Sequence, residues 1–415
     1  MQVALKIAVQ SLKNNKTRTV LTVLGIVIGI AAVIIVMSAG EGLKGQILGQ
    51  LDSFGSDIIQ IETKVPSTGR NSVDSAMTQA SGVQITSLKI DDAEAIKKLG
   101  NVGDYYGAIF DQEIVSYLNQ QKSINIIGAT PSFIDMDQSE IGLGRFYSED
   151  ENNSQAKVVV LGYKVAEKLF GNQDPVGNDV KIGKTKFKVI GVLAERGGGF
   201  GLDFDDIIYM PLLTLQKQVM GVDYVQWITV KLVDTSIEAE TAEEIISLLR
   251  ERHDIEGDDA NKDDFSVTTM TEAKEMIGTI FNGITLLLIA IAGISLLVGG
   301  VGIMNIMYVS VSERTFEIGL RKAVGAGRVE ILLQFLLEAV ILTVLGGIIG
   351  IALGISVAYL ISFVAGLLGF EWEFILPPSS IIIAFGFSSA VGLIFGYYPA
   401  QKASKMHPIN ALRHE

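Results

Sequence analysis

The 415-residue chain contains no cysteine. Disulfides, cysteine nucleophiles, thiolate zinc sites and iron–sulfur clusters are excluded together. Its three histidines, His253, His407 and His414, lie far apart in sequence and form no metal-binding motif. Charge is scarce too: 19% of residues are charged against 48% hydrophobic, and mean hydropathy is +0.39. Such a chain is neither disordered nor collagenous, and a net charge of −13 excludes a basic nucleic-acid binder. No G-x-x-x-x-G-K-[ST] phosphate loop is present, so ATP hydrolysis by the chain is not expected. G-x-S-x-G and H-E-x-x-H are missing, and Ser, His and Asp show no triad spacing. The expectation is a non-catalytic chain that binds no metal or cofactor itself.

What is present is apolar residues in long runs. Segments 19–40, 276–312, 339–370 and 374–401 carry no charge, and the third is extended by 331–337 across the single Glu338. A spanning helix needs about 20 apolar residues, so spans are expected at 19–40, 276–311, 331–365 and 379–400. The first run is longer than the roughly 7–15-residue core of a signal peptide, and reads as a retained helix. The second, at 1.5 Å per residue, would cover about 55 Å against a hydrocarbon core of about 30 Å. It must project beyond the membrane or bend at the interface. "GGVGIMN" at 299–305 lies inside that run and reads as helix packing.

Basic residues set the expected orientation. They cluster before the first span (Lys6, Lys13, Lys16, Arg18), between the second and third (Arg314, Arg321, Lys322, Arg328) and after the fourth (Lys402, Lys405, Arg413). These parts are expected in the cytoplasm: an amphipathic helix at 1–18, a connection at 312–328 and a tail at 401–415. The 366–378 loop and the segment 41–275 are then outside. That segment carries 22 Lys+Arg against 39 Asp+Glu, so an acidic outer domain faces a basic inner surface. Glycines recur four apart within the spans: Gly25 and Gly29; Gly346, Gly350 and Gly354; Gly392 and Gly396. This spacing lets helix backbones approach closely in lipid. Glu338 reads as an interfacial group bonded to a neighbouring helix rather than a proton or ion relay.

Segment 41–275 reads as an α+β domain. Strands are expected at 58–63, 123–127, 157–161, 180–182, 187–193, 207–210, 227–233 and 265–269, with a hairpin through Gly183-Lys184. Helices are expected at 91–99, 165–170, 212–220 and 236–252. Leu43, Ile47, Leu51 and Phe54 on one side, with Met276, Ile280 and Ile284 on the other, suggest span extensions paired as a stalk. The segment 66–84 and the acidic, glycine-rich 197–206 read as mobile. Asp203, Asp205 and Asp206 lack EF-hand spacing, so a solvated loop is expected there rather than a cation site.

The connection "VSERTFEIGLRKAVGAG" (311–327), with "GGVGIMNIMY" before it, resembles the signature of MacB-type permeases of the FtsX-like family. So do "NKTRTVLTVLGIVIGIAAVI" (15–34), "GRFYSEDE" (144–151), "AEKLFGNQDPVGNDVKIG" (166–183), "FKVIGVL" (187–193) and "YYPAQKASKMHPINALRHE" (397–415). The resemblance implies the permease of an ABC exporter, a multi-pass protein of the bacterial inner membrane acting as a homodimer. Each copy would pair with a separate ATP-binding subunit, because the chain starts directly at its amphipathic helix. ATP and Mg would belong to that partner. An adaptor (membrane-fusion) protein and the bilayer complete the implied partners, and nucleic acid is not among them.

The resemblance further implies a Sabre-like subdomain at about 131–222 with Porter-like flanks (56–130, 223–270). It assigns the connection as an ATPase-coupling helix carrying Ser312, Glu313, Arg314, Glu317, Arg321 and Lys322. The residues agree in kind: Ser312-Glu313 favours a helix start, opposite charges stand three and four apart, and Gly325 and Gly327 end it. The plainer reading is a solvated loop that satisfies topology. The implied activity is mechanotransmission, expelling amphiphilic drugs or peptides. A hydrolase-regulating FtsX-like device and a lipoprotein-releasing permease are the alternatives. No substrate-binding residue is identified.

Overall fold

A computed structural model describes residues 16–52, 55–66, 85–118, 120–137, 139–196, 198–199, 202–257, 259–368 and 372–412. The expected amphipathic helix before residue 16 and most of the polar 66–84 segment lie outside them. In chain order the elements are α1 (Lys16–Asp52), β1 (Ile58–Thr63), α2 (Ile90–Ile96), β2 (Val102–Tyr117), β3 (Gln120–Ala129), α3 (Phe133–Met136), β4 (Ile141–Gly144), α4 (Glu149–Asn153), β5 (Val158–Leu161), α5 (Tyr163–Phe170), β6 (Asp179–Ile182), β7 (Thr185–Leu193), β8 (Gly198–Gly199) and β9 (Leu202–Asp203). There follow β10 (Ile207–Pro211), α6 (Leu212–Thr214), β11 (Trp227–Leu232), α7 (Glu238–Arg252), β12 (Phe265–Thr269), α8 (Met270–Glu313), α9 (Thr315–Ala323), α10 (Arg328–Leu367), α11 (Pro378–Lys405) and α12 (Pro408–Leu412). They form two units, Ile47–Met276 and the membrane helices with their connections.

Among the described residues four helices, α1, α8, α10 and α11, are long and apolar enough to cross a membrane. The overlong second run is one unbroken 44-residue helix, longer than a bilayer's hydrocarbon core of about 30 Å requires. Glycine positions are where these helices meet. A β-carbon on Gly350 would lie 2.9 Å from the Val27 carbonyl oxygen, and one on Gly354 3.0 Å from that of Ala31. Gly346 faces Val23 and Ile26, so one edge of α10 is seated along α1. Gly25 meets Gly299 and Gly29 meets Leu296, placing α8 against α1. Gly392 and Gly396 meet Thr343 and Ala339, placing α11 against α10. Gly299 and Gly300 are packing positions as well, with Gly300 under the Phe395 ring.

In the other unit, ten strands among the described residues form one mixed sheet, in the order β12-β1-β11-β2-β3-β10-β5-β7-β4, with β6 bridging β2 and β7. Successive strand residues point to opposite faces, and the core divides accordingly. Ile208, Met210, Val159 and Leu161 join Ile59, Ile61, Ile245 and Leu249 on one face. Ile207, Tyr209 and Val160 join Tyr106, Phe133 and Tyr147 on the other. Helix α7 buries Thr241, Ala242, Ile245, Ile246 and Leu249, a spacing of three and four that makes one apolar stripe. Strands from 131–222 occupy the β10–β4 side of the sheet and strands from the flanks the other. The parallel pair β3–β10 joins them. The 183–184 hairpin is present between β6 and β7, with Gly183 at φ +54°.

Three expectations need correction. The longest strand, β2, was not expected, because "VGDYYGAIFDQEIVSY" carries two glycines and four charged or amide residues. It is held instead by ladders to β3 and β11 on its two edges. The 212–220 helix is a single α-turn followed by a π-turn over Leu215–Met220. The acidic 203–206 stretch is not a solvated loop. Asp203 pairs with Lys164 (2.7 Å), Asp206 with Lys168 (2.7 Å), and Asp205 is buried, accepting the Arg196 N–H (2.9 Å). Helix α5 supplies both lysines, so the acidic charge is spent locally. No group of His, Cys, Asp and Glu suited to a metal occurs among the described residues.

Candidate functional site: the connection between α8 and α10

Packing decides where this connection begins. Ile303, Met307 and Val311 are buried at four-residue spacing, so α8 continues as helix to Glu313. Ser312 therefore does not start a new helix, contrary to expectation; its carbonyl accepts the Thr315 hydroxyl (2.8 Å). The break falls at Arg314 (φ −102°, ψ 16°). At the other end Gly325 adopts φ +107°, which only glycine takes without strain, and its N–H reaches the Lys322 carbonyl (3.2 Å). The Gly327 N–H is then met by Glu330 (3.2 Å), capping α10.

The basic residues of the connection turn toward the protein's own helices. Arg314 donates to the buried Glu338 of α10 (3.3 Å). Glu338 is thus the bonded interfacial group that the sequence favoured. Arg321 donates to Gln334 of α10 (2.5 Å) and to Glu317 (2.6 Å). Lys322 donates to the carbonyls of Ser404 and Met406, the latter at 2.7 Å, at the C-terminal end of α11. A cation there is favoured by the unpaired carbonyls and by the helix dipole. Burial, and then the charge of Arg328, lower the pKa of Lys322 below the ordinary lysine value.

The outward face is apolar with an acidic edge. Ile318 and Gly319 are buried beneath α9. Phe316, Leu320 and Val324 are 58%, 50% and 83% exposed, at successive four-residue steps. Ser312, Glu313 and Glu317 are exposed beside them. Of the six residues read from the sequence, three therefore lie on the open surface, and Arg314, Arg321 and Lys322 act as internal ties. The apolar ridge is not among the residues read from the sequence, where the charge pairs stand out. The signal that would have found it is the i, i+4, i+8 repeat of Phe316, Leu320 and Val324. A helix fixed at three points to two spans, with an apolar ridge outward, can seat in a cleft of another protein and pass movement to the spans.

Family models and sequence relatives agree on the type of chain. A family described as the MacB-like periplasmic core domain matches residues 19–248, and one described as FtsX-like permease C-terminal matches residues 289–408. A protein of Bdellovibrio bacteriovorus, named a macrolide export ATP-binding/permease protein MacB, is 40% identical over 407 residues. The match covers 98% of this chain and 61% of that protein. A protein of the same name from Wolinella succinogenes is 39% identical over 413 residues, covering 99% and 61%. The chain thus spans about three-fifths of these relatives. Among solved structures, the periplasmic region of MacB from Actinobacillus actinomycetemcomitans has a TM-score of 0.47 at 23% identity, covering 56% of this chain and 97% of that one. The extracellular domain of YknZ, from a Gram-positive bacterium, has a TM-score of 0.40 at 20% identity, covering 51% and 99%.

Proposed function

The chain belongs to the family of MacB-like permeases, with a MacB-like periplasmic core domain followed by an FtsX-like permease C-terminus, and we propose that it is the membrane component of an ABC-type exporter. In this reading α9 is the coupling helix and an ABC ATP-binding domain docks on it. The termini and the α9 connection face the cytoplasm of a bacterial inner membrane, and the sheet domain lies outside. Two copies act together. ATP binding and hydrolysis move the coupling helices, and α1 and α8 carry that movement to the outer domain, which expels amphiphilic drugs or peptides. The relatives' name speaks of macrolide export; for this chain the proposed substrate class is amphiphiles.

The observation that carries the reading is the exposed Phe316–Leu320–Val324 ridge on a helix tied to two spans. The ridge is surface in this chain, so changing it leaves the bundle packing intact. Phe316→Asp with Leu320→Asp should weaken binding of the ATP-binding domain at least about tenfold, as expected for an apolar anchor at an interface. It should also remove the permease's effect on the ATPase rate in reconstituted vesicles. Unchanged binding and an unchanged rate would overturn the reading.

One ion pair supports the mechanical part. Lys274, near the start of α8, pairs with Asp52 at the end of α1 (2.5 Å), so an ion pair links these two helix ends.

A further inference from the structure

We propose that the C-terminal ends of α8 and α11 carry a binding site for one anionic phospholipid, with its phosphate on Lys402 and Lys405 and an acyl chain along the two helices. The proposal needs α8 and α11 to cross a bilayer. It does not depend on the export reading.

Three observations carry it. The first is a cation held in place. The Lys402 ammonium lies over the Tyr308 ring, 5.1 Å from its centre, and Tyr308 meets Tyr398 edge-on at 6.0 Å. The ring's quadrupole attracts the ammonium, so the lysine is held against α8 rather than left loose in water. All three residues lie near the C-terminal ends of their helices. Rings with polar tips suit the boundary between hydrocarbon and headgroups.

The second is the charge left over. Arg314, Arg321 and Lys322 are tied to Glu338, to Gln334 and to the carbonyls of Ser404 and Met406. Lys402 and Lys405 are exposed, and among the described residues neither pairs with a carboxylate. Tyr398, Lys402 and Lys405 follow one another at helical-turn spacing, so two ammoniums and a phenol share one side of α11. A phosphate suits this set: the ammoniums neutralise it and the phenol donates to it. Basic pockets between membrane helices take lipid headgroups in this way.

The third is the apolar surface that continues from the cluster into the spans. Ile394, one turn before Tyr398, is 67% exposed, and Val301, two turns before Tyr308, is 50% exposed. By helical spacing each lies on the same side as its tyrosine. Phe395 closes the contact between the two helices at Gly300. A soluble anion or an acidic protein surface would use the charges alone, whereas a phospholipid uses the charges and the apolar column together.

The test uses the full chain in detergent micelles, with bound lipid counted by native mass spectrometry. The probes are dioleoylphosphatidylglycerol, dioleoylphosphatidylcholine and glycerol phosphate. Phosphatidylglycerol is expected to bind saturably and more tightly than phosphatidylcholine, and glycerol phosphate is expected not to displace it. Lys402→Gln should weaken phosphatidylglycerol binding about fivefold, the effect of one lysine at an anionic lipid surface. Arg328→Gln removes an equal charge from the exposed start of α10 and should leave binding unchanged. Tyr308→Phe keeps the ring and should bind as wild type does, while Tyr308→Leu should weaken binding as Lys402→Gln does. Phosphatidylcholine binding should be the same in every variant, which shows that each is folded. Equal binding of the two lipids, displacement by glycerol phosphate, or a Lys402→Gln effect no larger than that of Arg328→Gln would each overturn the proposal. So would a Lys402→Gln chain that binds phosphatidylglycerol normally and loses the ATP-binding domain instead.

Discussion

Lys322 shows how little a residue's type says about its task. In sequence it is one of two adjacent basic residues in a charged connection; in the structure its ammonium ends on the carbonyls of Ser404 and Met406. Replacing it with Met keeps the stem and deletes the donor, leaving two carbonyls at the end of α11 to water. Hydrogen bonds to charged groups contribute about 1.5–3 kcal/mol. Lys322→Met is therefore expected to speed amide hydrogen exchange in 403–412 and in α9, while exchange in the sheet domain is unchanged. Protection in 403–412 equal to wild type would show that Lys322 is not the tie. Arg314 and Arg321 follow the same logic, whereas Phe316, conspicuous in no charge count, stands at the surface.

At the scale of elements, helix α7 is held to its neighbours by a compact set of charges around His253. The ring nitrogens lie 2.7 Å from Asp264 Oδ1 and 3.4 Å from Asp92 Oδ2. Arg252 reaches the other oxygen of Asp92 (2.7 Å), and Arg250 forks onto Asp263 (2.8 and 2.9 Å). Asp92 also accepts the Lys89 N–H at the start of α2 (2.8 Å), so α7, α2 and the approach to β12 share one network. The hydrogen bonds to Asp264 and Asp92, outweighing burial, raise the His253 pKa from 6.5 to about 9. A raised folded-state value means the stabilisation is complete below pH 6.5 and is lost as pH climbs toward 9. Burial would raise the two carboxyls, but their hydrogen bonds prevail and hold both below the ordinary range. Their contribution is present at neutral pH and falls away in acid. Raising pH from 6.5 to 9 should cost on the order of 3 kcal/mol through this network. The wild-type thermal midpoint should accordingly fall relative to that of His253→Gln over that interval. Parallel curves for the two proteins would refute the assignment.

Across the whole molecule, the membrane helices illustrate pattern and packing acting together. Gly350 has the Val27 carbonyl oxygen and Ile30 where a β-carbon would go, whereas Gly366 on the same helix has nothing within 4 Å. Gly350→Ala should destabilise the helix bundle by about 1–3 kcal/mol, the usual cost of overpacking. Gly366→Ala should be neutral or slightly stabilising through helix propensity. Denaturant titration of both variants in mixed micelles measures the difference, and equal midpoints would mean that α10 does not pack on α1 as described.

The sequence by itself determined what depends on neighbours in the chain. Long uncharged runs specify helices such as α8 because no other backbone satisfies its own hydrogen bonds in lipid. Alternating apolar residues specified β1 and β12, and Gly183 the turn between β6 and β7. The resemblance in 311–327 marked the connection that holds α9. The tertiary structure decided what depends on partners distant in the chain. β2 is a strand because β3 and β11 supply its hydrogen bonds, despite its charged composition. Arg314, Arg321 and Lys322 turn inward because Glu338, Gln334 and the end of α11 lie within reach, which exposes the Phe316 ridge instead. Lys402 meets the Tyr308 ring because α11 lies beside α8, a pairing that no local pattern encodes.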